Sequence, residues 1–216
     1  MEDTLEARLN AFFDFKMSGM FVCMVAEVLN TGKLEQCRID VKPIVNHEYK
    51  DSTVVEYPTI LSVPVQFPSS STSALTFPIN QGDNVLLVFS QKGLDVFKSG
   101  ATSAHDPIDM RSFDKRDAIA IPCVNPFSKS INNPVKRTLT HNVDDMVMTH
   151  NIGKDNECEV RLTSGGEVKV TGVHTKVSDS LATGGGVVVG TGATGSFTTP
   201  LGQVVTVSDG IITNIF

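Results

Sequence analysis

Hydrophobic positions along the chain follow three regimes. Leu5, Leu9, Phe12 and Phe13 recur at helical spacing, Asp3 and Glu6 stand where a capping box would place them, and Gly19 is a stop signal. This predicts a short amphipathic helix over 1–18. Few Lys and Arg flank it, so its stripe is expected to pack on its own domain or on a neighbouring subunit rather than on a membrane.

From 19 to 128 the pattern becomes β. Met20 to Leu29 reads as a buried strand closed by a turn at Asn30-Thr31-Gly32-Lys33, and Cys37, Ile39, Val41 and Ile44 alternate with polar neighbours as a half-buried partner. Thr59 to Phe67 is a strand that Pro64 and Pro68 place at an edge or bend. Val85 to Phe89 reads as a fully buried strand, and Ala118 to Pro122 as a last short one. Five short strands in about 110 residues are met most economically by a small closed barrel of OB type.

Residues 129–156, punctuated by Asn132-Asn133-Pro134, Asp144-Asp145 and Asn151-Ile152-Gly153, read as a linker. Beyond it the period is two. Cys158, Val160 and Leu162 alternate with Glu157, Glu159 and Arg161, and Val168 and Val170 with Glu167, Lys169 and Thr171. Eleven of the seventeen glycines fall in the last 52 residues, spacing short strands about ten residues apart. The stretch 177–216 has no Lys or Arg and only two charged side chains, Asp179 and Asp209. It is too small-sided to build a private core, yet its β-branched surface needs burial. Burial against copies of itself is the simplest solution, so 157–216 is expected to form an intertwined trimeric β-helix or β-prism. Its core would be Val187, Val189, Val205, Val207 and Ile211, with Ile215 and Phe216 at the distal tip.

Composition changes this picture little. The chain of 216 residues is 40% hydrophobic and 19% charged, with a net charge of −6 that argues against a nonspecific nucleic-acid surface. Cys23, Cys37, Cys123 and Cys158 form no C-x-x-C pair and are expected to be buried free thiols, in keeping with assembly in a reducing cytoplasm. The acidic start Met1-Glu2-Asp3 is unlike a secretory leader, and no window approaches the roughly 18 apolar residues of a membrane span.

Val63-Pro64-Val65-Gln66-Phe67-Pro68, Leu75-Thr76-Phe77-Pro78-Ile79, Gly82-Asp83, Val88-Phe89-Ser90, Leu94-Asp95 and Arg116 to Pro122 form an ordered series. Over roughly residues 21–127 this series resembles the N-terminal barrel domain of central spike proteins from contractile phage tails. The resemblance implies an OB-fold domain followed by a trimeric β-helix, in a homotrimeric virion protein on the tail-baseplate axis. Its partners would be tail-tube or hub proteins and the host outer membrane, which it helps to puncture. Cys123 stands where the family tends to have glycine. Many such spikes carry an iron-binding His-x-His at the apex, and this chain has none. Either Ile211, Ile212, Ile215 and Phe216 close a blunt tip, or a separate tip protein caps it. No cofactor is expected, beyond an ion that a trimeric axis could hold.

Sharper motifs carry less. Gly190 to Gly195 spells G-x-G-x-x-G, but a dinucleotide site needs a following helix within a unit of about 30 residues, and only 21 residues remain. His141, His150, Asp144 and Asp145 fit no metal-ligand spacing and read as solvated linker residues. His105, Asp106 and Asp109 read as loop surface charge. No nucleophile–base or paired-carboxylate arrangement suggests an enzyme. The alternatives to a spike are a hub or adhesin component without a piercing role and, less favoured, an OB-fold nucleic-acid binder or a cell-wall hydrolase.

Overall fold

The computed structural model describes residues 4–49, 51–122, 124–176, 178, 194–208 and 210–215, with the side chains of 211 and 213 left aside. The chain is mainly β, with a short N-terminal helix, and divides into two compact units, 1–131 and 132–216.

In the first unit, helix α1 spans Leu5–Ser18. Thr4 caps it, its hydroxyl accepting the Ala7 N–H at 3.2 Å, in place of the expected Asp3 box. None of its residues is buried, so the apolar stripe does not pack on its own domain in the single chain.

Five strands, β1 (Cys23–Asn30), β2 (Arg38–Pro43), β5 (Ile60–Pro64), β6 (Asn84–Phe89) and β7 (Ala118–Pro122), form one antiparallel sheet in the order β5-β2-β1-β6-β7. The two-residue strands β3 (His47–Glu48) and β4 (Val54–Val55) make a small separate hairpin. The large sheet curls into a half-barrel. A parallel bridge between Val65 and Ala120, with the Gln66 N–H on the Ala120 carbonyl at 2.9 Å, brings one end of β5 to β7.

The curl buries one face only. Ala26 and Val28 of β1, Ile39 and Val41 of β2, Val63 of β5, Val85, Leu87 and Phe89 of β6, and Ala118 and Ala120 of β7 all point into one core. Hence β6, expected to be buried on both faces, leaves Val88 37% exposed. The cysteine expectation also fails in this unit. Cys23 starts β1 and Cys37 closes a 3-10 turn at φ 53°, both exposed. Cys158 is half-buried, and these three are free thiols.

The connection from β6 to β7 carries a four-residue helix, α2 (Asp95–Lys98), and is pinned by Arg111. Its guanidinium makes two bonds to the fully buried Asp117, at 2.6 and 2.8 Å, one to Asp109 at 2.8 Å, and one to Asp95. Asp109 is therefore part of an ion cluster, not free surface charge. A Cβ on Gly93 would stand 3.1 Å from the Arg111 guanidinium, so a glycine there leaves the cluster room.

Among its described residues the second unit has two antiparallel three-stranded sheets. One comprises β8 (Met146–His150), β9 (Cys158–Leu162) and β10 (Val168–Thr171), with β9 central. The stretch read as a linker thus contains a strand, β8. The other comprises β11 (Gly195–Thr198), β12 (Val204–Ser208) and β13 (Ile211–Ile215), with β12 central. Ser208 pairs with Ile211, and Gly210 sits at φ 78°, a backbone conformation that favours glycine. The G-x-G-x-x-G motif ends at Gly195 in a strand, not at the start of a helix.

Candidate assembly surface

The β8-β9-β10 sheet is inside out. A strand sends alternate side chains to opposite faces, and the ladder aligns those faces across the sheet. Here Met146 pairs with Leu162 and Leu162 with Val168, while Met148 pairs with Val160 and Val160 with Val170. These six apolar side chains form two rows on one face, and all six are exposed, from 42% at Val160 to 74% at Met146. Returning them to an apolar environment would contribute roughly 5–10 kcal/mol per chain, allowing for their partial exposure.

The opposite face is ionic, exposed at Lys169 and Thr171 of β10 and buried at β9. Glu157, Glu159 and Arg161 are buried, with partners supplied by residues 137–145. Arg161 pairs with Glu159 at 2.7 Å and with Asp145 at 3.5 Å, and also donates to the Thr140 carbonyl. Arg137 donates to the Thr149 hydroxyl at 2.8 Å and faces Glu157 at 3.9 Å. Glu157 Oε2 accepts the backbone N–H groups of Thr138, at 2.6 Å, and Gly153, at 2.9 Å. Buried charges persist only when paired and hydrogen-bonded, and these satisfy most of that demand. Asp145 and His141, expected as solvated linker residues, belong to this layer. Both ring nitrogens of His141 are shielded without a partner. His150, at the end of β8, is exposed.

Two of these groups make the layer acid-sensitive. Burial, then Arg137 and Arg161, push the His141 pKa below 6.5 against the opposing pull of Glu159 and Asp145. Burial would raise Glu157, but the N–H groups of Gly153, Thr138 and Leu139, with Arg137, outweigh it and hold its pKa below 4.5. Both folded-state values lie under the unfolded ones, so both contributions are present at neutral pH and are lost as pH falls. The His141 share goes as pH drops below about 6.5, and the Glu157 share below about 4.5. Denaturant unfolding at pH 7.5 and 5.5 should show this loss, and His141→Gln should flatten it. An unchanged slope in the variant would remove His141 from the account.

The residues expected in the spike core are distributed unevenly. Val205 of β12 is buried, at 5% exposure, and aligns with Phe197 and Ile215, which are both 56% exposed. Val207 is half-buried. Val187, Val189 and Phe216 lie outside the described residues, as does the side chain of Ile211. The apolar face of β8–β10 was missed as a surface. Its available signal was the Met146-Val147-Met148-Thr149 alternation, placed just before the alternation of β9.

Among the described residues no cluster of His, Cys, Asp or Glu is arranged to hold a metal ion. No described helix is long and apolar enough to cross a membrane. No curated protein matches the chain. Residues 30–123, from the end of β1 through β7, match the family model for the phage protein Gp138 N-terminal domain, and the match supports a phage structural protein.

Proposed function

We propose that the chain is a homotrimeric central-spike component of a contractile phage tail, with an OB-type barrel that joins the tail tube or hub and a C-terminal β-structure that helps breach the host outer membrane. The inverted β8-β9-β10 sheet carries this reading. A chain that buries its ions and leaves six apolar side chains in water is shaped for partners, and an identical copy supplies a matching face under closed symmetry. Around a threefold axis the Met146-Leu162-Val168 and Met148-Val160-Val170 rows would stack as layers of one shared core.

The strand order β5-β2-β1-β6-β7 and the parallel approach of β5 to β7 support the OB-type barrel. The near-absence of charge in 177–216 supports a rod that enters a bilayer without a large desolvation cost. The role is mechanical and asks for no catalytic residue, cofactor or nucleic acid. A hub or adhesin component of the same tail would share the trimer but not the piercing. Light scattering on the full chain should give three times the 23.2 kDa chain mass, with resistance to SDS until boiling. A monomer with a protease-sensitive C-terminal unit would sink the proposal.

A further inference from the structure

We infer that helix α1 of one copy docks across the outer face of strands β1, β6 and β7 of a second copy of this chain. The inner face of these strands holds Ala26 and Val28, then Val85, Leu87 and Phe89, then Ala118 and Ala120, all in the core. Alternation sends the residues between them outward. The ladder aligns Cys23 with Val88 and Val88 with Ile119, and it aligns Val25 with Leu86 and Leu86 with Ile121. No Asp, Glu, Lys or Arg interrupts either row. Cys23, Val88 and Ile121 are exposed, and Val25, Leu86 and Ile119 are half-buried. Contiguous apolar patches mark contact surfaces, whereas apolar residues scattered singly do not.

The same chain carries the element that fits. Helix α1 buries none of its residues, and Leu5, Leu9, Phe12 and Phe13 form an exposed stripe at i, i+4, i+7 and i+8. From Leu5 to Phe13 the stripe runs about 12 Å, and the three strands it would cross span about 10 Å. The helix cannot reach its own sheet. The Met20 N–H is bonded to the Met17 carbonyl at 3.1 Å, the Phe21 N–H to that of Phe113 at 3.0 Å, and the Phe89 N–H to that of Val22 at 3.1 Å. The Phe21 ring packs against the core, 5.4 Å from the Phe89 ring and 5.8 Å from that of Tyr57. The join is therefore fixed from Met20 to Val22, and Gly19 before it keeps helical angles, φ −89° and ψ −2°. No slack is left for α1 to fold back over β1. A second copy offers the same face without that tether. Each copy then gives one helix and receives one, an exchange that a closed cyclic assembly completes. A stripe of four side chains falls short of the roughly 1,000 Å² that an independent interface buries. The exchange thus rests on the self-association proposed above and adds to it.

Cys23, at the end of one row, reports the contact, and Cys37, exposed at the other end of the sheet, is the internal control. In the assembled full chain, Leu9→Glu/Phe12→Glu should speed Cys23 alkylation about tenfold or more, read by peptide mass. Cys37 alkylation and the mass in solution should not change. Because α1 buries nothing in the single chain, these substitutions spare the fold. Cross-linking then identifies the donor. Leu5→Cys, Leu9→Cys and Phe13→Cys are oxidised one at a time, and at least one should join Cys23 of a different chain, giving multi-chain bands on a non-reducing denaturing gel. A disulfide to Cys23 of the same chain overturns the proposal, as does one between two helices alone, or none in any variant. Equal alkylation of Cys23 with and without the glutamates overturns it too. A trimer by light scattering that lacks these signs fails this proposal and leaves the spike reading standing, whereas a monomer fails both.

Discussion

Val160→Asp is expected to turn the assembled protein into a folded monomer. Val160 sits at the middle of the central strand β9, flanked in register by Met148 and Val170, so it marks the centre of the exposed apolar face. In the single chain the position is already 42% exposed, and an aspartate there meets water. The cost to the monomer is the loss of strand propensity, about 1 kcal/mol or less. In a trimer the same three carboxylates converge on one axis, where an unpaired charge costs several kcal/mol. About 4 kcal/mol would lower the association constant roughly a thousandfold, enough to remove the oligomer at micromolar concentration. Light scattering should therefore fall to the single-chain mass while circular dichroism keeps its β signature. Should the aspartate variant misfold, Val160→Thr keeps the β-branched shape and weakens association in the same direction. A trimer that survives both changes would move the interface elsewhere on the chain.

That face also marks where the sequence stops being readable. Alternation along 157–162 and 167–171 divides the residues correctly into two sets. Period two says nothing, however, about which set is inside. The ordinary expectation buries the valines, yet here Glu157, Glu159 and Arg161 are covered because residues 137–145 return Arg137, Asp145 and several N–H groups to them. The partners of the ionic set lie in a stretch whose Asn, Asp and Gly punctuation reads as linker, and the same punctuation hid β8. In the first unit the pattern was sufficient at β2. Ile39 and Val41 needed only their own sheet to bury them, so their alternation translated directly into a core, whereas Val85 to Phe89, read as buried throughout, buries only Val85, Leu87 and Phe89. The Arg111 cluster was missed for a related reason. Asp95, Asp109 and Asp117 are spread over 23 sequence positions and meet only because the β6–β7 connection folds back on itself.

Replacing Arg111 with methionine should destabilise the first unit by about 3–5 kcal/mol, the usual cost of removing one partner from a buried ion pair. The cost comes from what is left behind. Asp117 is fully buried, and burial alone would raise its pKa. The Arg111 bonds, the Leu94 N–H at 2.8 Å and the nearby Lys98 outweigh that and keep it ionised. Without the guanidinium it must either remain a poorly compensated buried anion or take up a proton, while Asp95 and Asp109 lose the group that draws them together. Its depressed folded-state value also fixes the sign of the pH effect. Asp117 contributes stability above its ordinary value of 3.8, and that contribution is lost as pH falls through the folded value. Urea unfolding of the full chain, followed by a probe in the first unit, should show the drop at pH 7 with little change in slope. Arg111→Met/Asp117→Leu should recover much of the loss, because the stranded charge goes with its partner. A double variant no more stable than the single one would mean that the arginine stabilises the unit by tethering the β6–β7 connection through Asp95 and Asp109, with neutralisation of Asp117 incidental.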